Sequence, residues 1–327
     1  MPMIPVLDIQ HMSKQALLAH GASDGVASVM ARAIAWAEAR DNRICGLYYL
    51  ESYCLQLRTG RVDGTVTPDV QTPRSAEITV DAGHGFAQPA FTAALDRALE
   101  AARTHGIARL GVYNAHTCTA LGWFTEQIAQ GGALGLGLTN ATPIVAAPGG
   151  KTRVIGTNPI SFAVPDGQGG IAMLFDQSST TVALGRITMA KAAGEPIPEG
   201  WALDADGQPT TDPEAALQGS MTSAGGYKGW GFGLMAEILA ACLCGGTLSK
   251  DVKPLKTPEG APHDLACSFV LIHPSETGFY DRLRLLAEAV SQDEGCRMPG
   301  QGKVIRTEVE VPQALWDMVQ GLATPAG

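Results

Sequence analysis

Apolar side chains recur at helical spacing in the N-terminal part of the chain. Between residues 14 and 40 they return every three or four positions, and the pattern breaks once, between Gly21 and Gly25. Two helices are therefore predicted. Ser23 followed by Asp24 is a typical N-terminal cap for the second helix.

Helical and strand-like segments are mixed along the rest of the chain. Residues 88–106 predict a helix that ends at Gly106, because glycine commonly follows the last turn. Other helices are predicted over residues 121–132, 229–244 and 278–291. Strand-like runs occupy residues 75–83, 107–115, 133–141, 154–165, 171–179 and 265–274. Three of these runs follow one another with almost nothing helical between them, so part of the sheet is predicted to be antiparallel.

Composition limits the class of protein. With 327 residues, 45% of them hydrophobic and 17% charged, the chain can bury a full core in one large or two closely joined domains. The net charge is −9 and no run rich in lysine and arginine occurs, which argues against nucleic acid or an anionic membrane as partner.

Cysteine usage and the first residues predict a reduced, cytoplasmic protein. The seven cysteines are scattered and odd in number, and "MPMIPVLDIQ" lacks the basic and apolar regions of a signal peptide. The most apolar stretch, residues 229–246, is interrupted by Glu237 and several glycines. It predicts a buried helix rather than a membrane span.

Common catalytic motifs are missing from the sequence. "GHGFAQ", "GLGLTN" and "GWGFGL" each lack the last glycine of G-x-G-x-x-G, and no Walker A, G-x-S-x-G or H-E-x-x-H motif occurs. Cys242 and Cys244 have no companion pair, so no metal site is predicted. Residues 194–216 predict a long polar loop of the kind that covers a site. A standard Rossmann enzyme is not expected.

Several segments are unusually polar and glycine-rich for their apolar surroundings. In residues 113–123 a strand leads into a helix, whose first N–H groups could bind an anion together with Thr117 and Thr119; ordinary capping is the alternative. Thr157 begins a turn signal. Asp176 ends a strand and is either a helix cap or a site residue.

Two more segments carry cations beside glycines. Lys228 lies in "GGYKGWGFG", where it could hold a phosphate or simply be solvated. Arg297 and Lys303 flank a Pro-Gly turn of the same kind.

Taken in order, these segments resemble the type 2 malate/L-lactate dehydrogenase family, over roughly residues 15–303. The likeness rests on "VDAGHGFAQPA", "GTNPISFAVP", "EGWALDADGQPTTDP", "GGYKGWGFGLMAEILAA" and "RMPG", and within the family it is greatest to the ketimine reductases of Δ1-piperideine-2-carboxylate and Δ1-pyrroline-2-carboxylate. The resemblance implies an α/β, non-Rossmann NAD(P)-binding fold with a largely antiparallel mixed sheet. It also implies a helical dimerisation and substrate domain built from both termini (residues 1–75 with 285–327), a cofactor domain (residues 76–284), and a homodimer.

The resemblance also implies the site residues and the cofactor. NADPH is expected in preference to NADH, and the substrate is an imino or oxo acid. Thr157 lies where a substrate-contacting threonine is expected. Cofactor contacts are implied for His116, Thr117, Cys118, Thr119, Ala120, Leu121, Asp176, Gln177, Ser178, Tyr227, Lys228, Arg297, Met298, Pro299, Gly300 and Lys303.

The sequence departs from the family at the positions of two catalytic residues. The family has Ser-His-Gly, with a proton-donating histidine, and three residues later an arginine that binds the substrate carboxylate. Here Ile44-Cys45-Gly46 is followed by Tyr49, with Tyr48 beside it, so Cys45 and Asp176 become the expected catalytic residues and the two tyrosines the expected substrate contacts. The family's second histidine is represented by Thr117.

Loss of the histidine favours an imine substrate. A ketone needs a proton donor, whereas a cyclic imine can bind already protonated. The prediction is therefore an NAD(P)H-dependent reductase that transfers a hydride to the α-carbon of a cyclic imino acid. The alternatives are a 2-oxo or 2-hydroxy acid dehydrogenase, a substrate without a carboxylate, and a nucleotide-binding protein that has lost the chemistry, with Cys45 as a small packing residue.

Overall fold

The structure is a computed structural model that describes residues 1–274 and 278–324. Within this part of the chain the helices are α1 (Val6–Ala19), α2 (Asp24–Ala39), α3 (Leu50–Thr59), α4 (Ala87–His105), α5 (Gly122–Gln130), α6 (Leu184–Ala193), α7 (Pro213–Gln218), α8 (Tyr227–Glu237), α9 (Phe279–Val290) and α10 (Gln313–Ala323). Single turns of 3₁₀-helix cover Arg43–Cys45, Leu47–Tyr49 and Ser249–Asp251, and α8 continues as a π-helix over Ile238–Cys242.

The strands of the same residues are β1 (Met3–Pro5), β2 (Asp69–Arg74), β3 (Glu77–Asp81), β4 (Ile107–Ala115), β5 (Leu134–Thr139), β6 (Val145–Ala146), β7 (Arg153–Ile155), β8 (Ile160–Pro165), β9 (Ile171–Gln177), β10 (Ala202–Leu203), β11 (Pro209–Thr210), β12 (Ser220–Met221), β13 (Leu265–Ile272) and β14 (Glu308–Glu310).

The predicted element types are largely confirmed. The Ser23 hydroxyl accepts a 3.4 Å hydrogen bond from the backbone N–H of Val26, as an N-cap does. Helix α4 ends at Gly106, which has a φ of 82°. Residues 154–165 form two strands instead of one, because the turn at Thr157 separates β7 from β8.

A mixed sheet of seven strands forms the centre of the molecule, in the order β2-β3-β4-β13-β5-β8-β9. Every pairing in it is antiparallel except β3 with β4, which confirms the expected mixed sheet. Helices α4 and α5 pack on this sheet around three buried rings, with Phe91 5.1 Å from Phe124 and 4.9 Å from Phe269 between ring centroids.

The two ends of the chain meet in a second core. Strand β1 pairs with β14, and α1 packs against α2 and α10. The buried side chains of this core include Ile9, Leu17, Met30, Tyr53 and Trp316. Strand β2 lies within residues 1–75 yet pairs in the seven-stranded sheet, so the division into two domains stays a prediction.

The polar segment over residues 194–216 is only partly a loop. It contains β10, β11 and the start of α7. The two strands belong to a second sheet with the order β11-β10-β12-β6-β7. Strands of two residues are too short to leave a sequence pattern. This sheet and α6 enclose a third apolar cluster.

The prediction of a buried helix at residues 229–244 is wrong for one face. Phe232 is 56% exposed, Ile238 55% and Leu243 50%. Within the described residues, no helix combines the length and hydropathy that a bilayer crossing requires. All seven cysteines are free thiols.

Candidate active site

The end of β9 is the point at which the predicted site segments meet. Asp176 lies next to the end of this strand, and its Oδ2 accepts a 2.7 Å hydrogen bond from the backbone N–H of Gly122. Gly122 is the first residue of α5. The partial positive charge at the N-terminus of a helix favours a carboxylate there. The segments of residues 117–121 and 176–178 are therefore neighbours.

Backbone hydrogen bonds bring the other segments to the same strand. The N–H of Leu174 donates to the carbonyl of Pro299 at 3.0 Å, which ties down the loop of residues 297–303. The N–H of Ala224 donates to the carbonyl of Ser179 at 2.9 Å, next to the start of α8. The N–H of Ser179 donates to the carbonyl of Thr157 at 2.8 Å. The sequence-predicted segments thus lie next to one another around the end of β9, where they define the candidate cleft.

Glycines allow this close approach of backbone. A Cβ on Gly229 would lie 2.3 Å from the Ala224 carbonyl oxygen, and one on Gly300 would lie 2.9 Å from the Leu174 carbonyl oxygen. A Cβ on Gly122 would lie 3.0 Å from Asp176 Oδ2. A nicotinamide dinucleotide requires accessible backbone N–H groups and cations around its phosphates. The exposed side chains of Lys228, Arg297 and Lys303 supply such cations. The first N–H groups of α5 already donate within the chain, that of Gly122 to Asp176 and those of the next three residues to backbone carbonyls.

Asp176 is exposed to solvent at the end of β9. Neighbouring protein atoms nevertheless raise the pKa of its carboxyl to about 6. The dominant cause is loss of hydration, which the hydrogen bond from Gly122 and the charge of Lys303 oppose. A carboxyl group with this pKa can change its charge near neutral pH.

Cys45 lies within electrostatic range of this carboxylate. It is half-buried, and loss of hydration together with the negative charge of Asp176 raises the pKa of the thiol to about 12. The thiol is therefore neutral at pH 7. The turn that carries it depends on Gly46, because a Cβ there would lie within 2.1 Å of the buried Glu38 carboxylate, which accepts the N–H of Leu47 at 2.7 Å.

A row of tyrosines continues from Cys45. The ring centroids of Tyr48 and Tyr49 are 5.1 Å apart, and those of Tyr49 and Tyr53 are 6.1 Å apart. Burial is the main cause that raises the pKa of Tyr49 to about 12, with Cys45 and Tyr48 adding to the effect, so its hydroxyl is a neutral donor. Tyr53 is fully buried in the core.

Lys256 lies over this row of tyrosines, and sequence reasoning did not find it. Its Nζ lies 3.8 Å from the ring centroid of Tyr48 and 5.5 Å from that of Tyr49, within cation–π range. No motif surrounds Lys256 in the sequence. A lysine in a loop some 200 residues away carries no local signal of this contact.

His116 is not at the surface of the cleft. Its ring is buried, with Nε2 2.7 Å from Gln56 Oε1, and it packs edge-to-face against Tyr53 and Phe86. Burial, with the charges of His263 and Arg61, holds its pKa well below the usual value. The predicted contact between this ring and a cofactor is therefore not supported by its position.

Other residues of the first cofactor segment also face inward. Cys118 and Leu121 are buried, and Cys118 Sγ lies 3.5 Å from the Thr139 hydroxyl. Thr119 has a φ of 53°, an uncommon conformation for threonine that is found at functional turns. Residues of this kind can contact a ligand through their backbone.

The amino-acid sequence matches the family model of malate/L-lactate dehydrogenase over residues 4–317. It is 36% identical to the (2R)-3-sulfolactate dehydrogenase (NADP(+)) of Chromohalobacter salexigens, covering 98% of both chains. It is 34% identical to the Δ1-pyrroline-2-carboxylate/Δ1-piperideine-2-carboxylate reductase of Pseudomonas putida, covering 94% of this chain and 91% of that protein. The crystal structure of the Δ1-piperideine-2-carboxylate reductase of Pseudomonas syringae pv. tomato superposes with a TM-score of 0.90 at 29% identity, covering 98% of this chain and all of that one.

The fold, the cleft and these matches define an NAD(P)-dependent oxidoreductase, the enzyme class predicted from the sequence. The chain belongs to the malate/L-lactate dehydrogenase family.

Proposed function

We propose that the protein is an NAD(P)H-dependent reductase of cyclic 2-imino acids of the Δ1-pyrroline-2-carboxylate or Δ1-piperideine-2-carboxylate type. The relatives with those names support this substrate class. The observation that carries the proposal is the Asp176 carboxylate held at the start of α5, within electrostatic range of a neutral thiol at Cys45.

An imine suits this pairing better than a ketone does. A protonated imine is a cation, and the Asp176 carboxylate, ionised above about pH 6, would stabilise it within the cleft. A ketone becomes an alkoxide as it accepts a hydride and needs an acid. A thiol with a pKa of about 12 is too weak an acid for that role at neutral pH. We therefore assign the electrostatic role to Asp176, with Cys45 as a neutral contact of the substrate.

The remaining residues have binding roles in this proposal. Bound NAD(P)H supplies the hydride. Lys228, Arg297 and Lys303 would hold its phosphates, while the backbone of residues 117–121 and of Gln177 and Ser178 would line the nucleotide cleft without a Rossmann motif. The hydroxyls of Tyr49 and Thr157 would hydrogen-bond the substrate. NADPH is the expected cofactor, in keeping with the NADP(+) in the name of one relative.

A second candidate is a 2-oxo acid that bears another anionic group. The 36% identity to a 3-sulfolactate dehydrogenase favours it. In that reaction the protonated form of Asp176 would be the acid, because its pKa of about 6 leaves a fraction of the carboxyl protonated at neutral pH.

The pH dependence of turnover distinguishes the two candidates. Initial rates with NADPH are measured between pH 5 and 8 on Δ1-pyrroline-2-carboxylate, Δ1-piperideine-2-carboxylate, pyruvate and 3-sulfopyruvate. Imine reduction is expected to lose rate as the pH falls through about 6, because Asp176 becomes protonated. Reduction of a 2-oxo acid is expected to lose rate as the pH rises through the same value. Absence of turnover on both imines would contradict the proposal, and NADPH binding without turnover of any substrate would favour a protein that has lost the chemistry.

We further propose a cytoplasmic homodimer. The exposed apolar side chains of Phe232 and Ile238 lie on α8 and its π-helical continuation, and that of Leu243 follows directly after it. A second copy of the chain would cover them. Light scattering of the wild type and of Phe232→Glu tests this. A monomeric wild type would contradict it.

A further inference from the structure

Lys256 is a cation beside Tyr48 and Tyr49 that has no anionic partner in the described part of the chain. No carboxylate in residues 1–274 or 278–324 forms an ion pair with Lys256, whose ammonium lies over the rings of Tyr48 and Tyr49. The arginines of the nearby turn are already paired, Arg40 with Glu126 and Arg43 with Asp41. Lys256 is therefore the cation that remains available beside the tyrosines.

We infer that Lys256 binds the acid group of the substrate. This inference rests on the proposed function, and it deepens that function by naming the residue that selects a carboxylate. Tyr49 by itself offers one neutral hydrogen bond, whereas an ammonium adds a charge-assisted one. An acid group beside Lys256 would also lie next to the Tyr49 hydroxyl.

The loop that carries Lys256 is held in place by a buried arginine. Arg61 is 2% exposed and donates hydrogen bonds to the carbonyls of Pro254 at 2.8 Å, Leu255 at 2.9 Å and Ala261 at 3.0 Å. Gln56 donates a further bond to the Leu255 carbonyl at 2.7 Å. A fixed backbone on both sides of residue 256 lowers the entropy lost when its side chain binds an anion.

The charges near Tyr49 match those of the substrate. The Lys256 ammonium lies 5.5 Å from the Tyr49 ring centroid, and the Asp176 carboxylate is held by the backbone N–H of Gly122 at the start of α5. A protonated cyclic 2-imino acid carries a carboxylate next to a cationic nitrogen. Its carboxylate would face Lys256 and its nitrogen would face Asp176.

A pair of substrates isolates the acid group. Δ1-pyrroline-2-carboxylate is compared with 1-pyrroline, the same ring without a carboxylate, for the wild type and Lys256→Met with saturating NADPH. We expect Lys256→Met to raise KM for the acid by roughly 10- to 100-fold, the value of a hydrogen bond to a charged group, and to leave kcat/KM on 1-pyrroline unchanged. Lys253→Met, an exposed lysine on the same loop, is the matched control and should behave like the wild type.

Two further variants test the arrangement. Tyr49→Arg in the Lys256→Met background should restore most of the affinity for the acid, because it returns a cation to the same side of the cleft. Arg61→Lys keeps the charge but loses the forked hydrogen bonds, and it should raise KM for the acid with little change of kcat. An equal loss on both substrates would instead indicate a merely structural role for Arg61.

Binding of a stable probe separates this inference from the proposed function. Pyrrole-2-carboxylate is titrated calorimetrically into each NADPH complex. If the wild type binds this probe and Lys256→Met does not, Lys256 is the acid-binding residue even if neither imine is turned over, in which case only the proposed function fails. Equal KM and equal probe affinity in the wild type and Lys256→Met would overturn the inference while imine reduction stands. Absence of probe binding to the wild type would overturn it as well.

Discussion

Asp176 Oδ2 accepts a 2.7 Å hydrogen bond from the backbone N–H of Gly122, the first residue of α5. This bond joins the end of β9 to the start of a helix that precedes it by about fifty residues. The sequence left open whether Asp176 is a helix cap or a site residue. In the structure Asp176 binds the N-terminus of α5, a helix that is distant from it in the sequence. Its charge also acts on Cys45.

Replacement of Asp176 should change the pH profile of the enzyme. The pKa of this carboxyl is raised from 3.8 to about 6, so the wild type is expected to lose imine reduction as the pH falls through about 6. Asp176→Asn should lower kcat/KM at pH 7 by roughly 100-fold and remove this pH dependence. Asp96→Asn, an exposed aspartate on α4, serves as control. If Asp176→Asn still loses imine reduction as the pH falls through about 6, a group other than Asp176 causes this loss.

Substitution of Cys45 should separate imine reduction from ketone reduction. Because the thiol is neutral and a weak acid, Cys45→Ala is expected to change imine turnover by only a few-fold. Cys45→His introduces a group that is an effective acid at neutral pH, and we expect it to raise reduction of 2-oxo acids by roughly 100-fold. Steady-state rates on pyruvate and on the cyclic imines measure both effects. Abolished imine reduction in Cys45→Ala would show that the thiol takes part in proton transfer.

The ion pair between Arg40 and Glu126 should be important for stability. Their atoms are 2.5 Å apart, their side chains are 11% and 7% exposed, and Trp36 Nε1 also donates to Glu126 at 3.0 Å. Glu126→Ala would leave a buried guanidinium without its partner, which should lower the free energy of unfolding by about 3–5 kcal/mol. Chemical denaturation measures this loss. Glu100→Ala removes an exposed ion pair and should have almost no effect; an equal loss in both variants would contradict the prediction.

Acid should destabilise the protein through its buried histidines. Burial is the main cause that lowers the pKa of His263 from 6.5 to about 4; the nearby Arg61 acts in the same direction, and a hydrogen bond to the Lys253 carbonyl opposes both. The unfolded chain therefore binds a proton that the folded chain does not bind between pH 6.5 and 4, so stability falls as the pH falls through this range. The loss is about 3 kcal/mol from His263, and His116, whose ring centroid is 5.6 Å away, adds to it.

Denaturation at pH 7 and pH 4.5 tests this sign. His263→Gln should reduce the difference in the free energy of unfolding between the two pH values, because the glutamine does not titrate. His105→Gln, at the exposed end of α4, is the control. A pH difference that is unchanged in His263→Gln would mean that other groups cause the acid destabilisation.

The amino-acid sequence alone determined the elements and the family. Helices such as α2 and α4 follow from side-chain spacing and from caps at Ser23 and Gly106, which act over a few residues. The polar, glycine-rich segments likewise marked the parts of the chain that meet at the end of β9, because close backbone approach requires glycine at positions such as Gly229.

Tertiary structure decided which of these residues meet. The burial of His116, the exposed face of α8 and the position of Lys256 over Tyr48 depend on how distant segments pack, and neighbouring residues in the sequence carry no trace of that packing. Local patterns report the backbone conformation of a segment. Contacts between distant segments are set by topology, and here topology placed the Lys256 ammonium over two tyrosine rings and the Asp176 carboxylate at the start of α5.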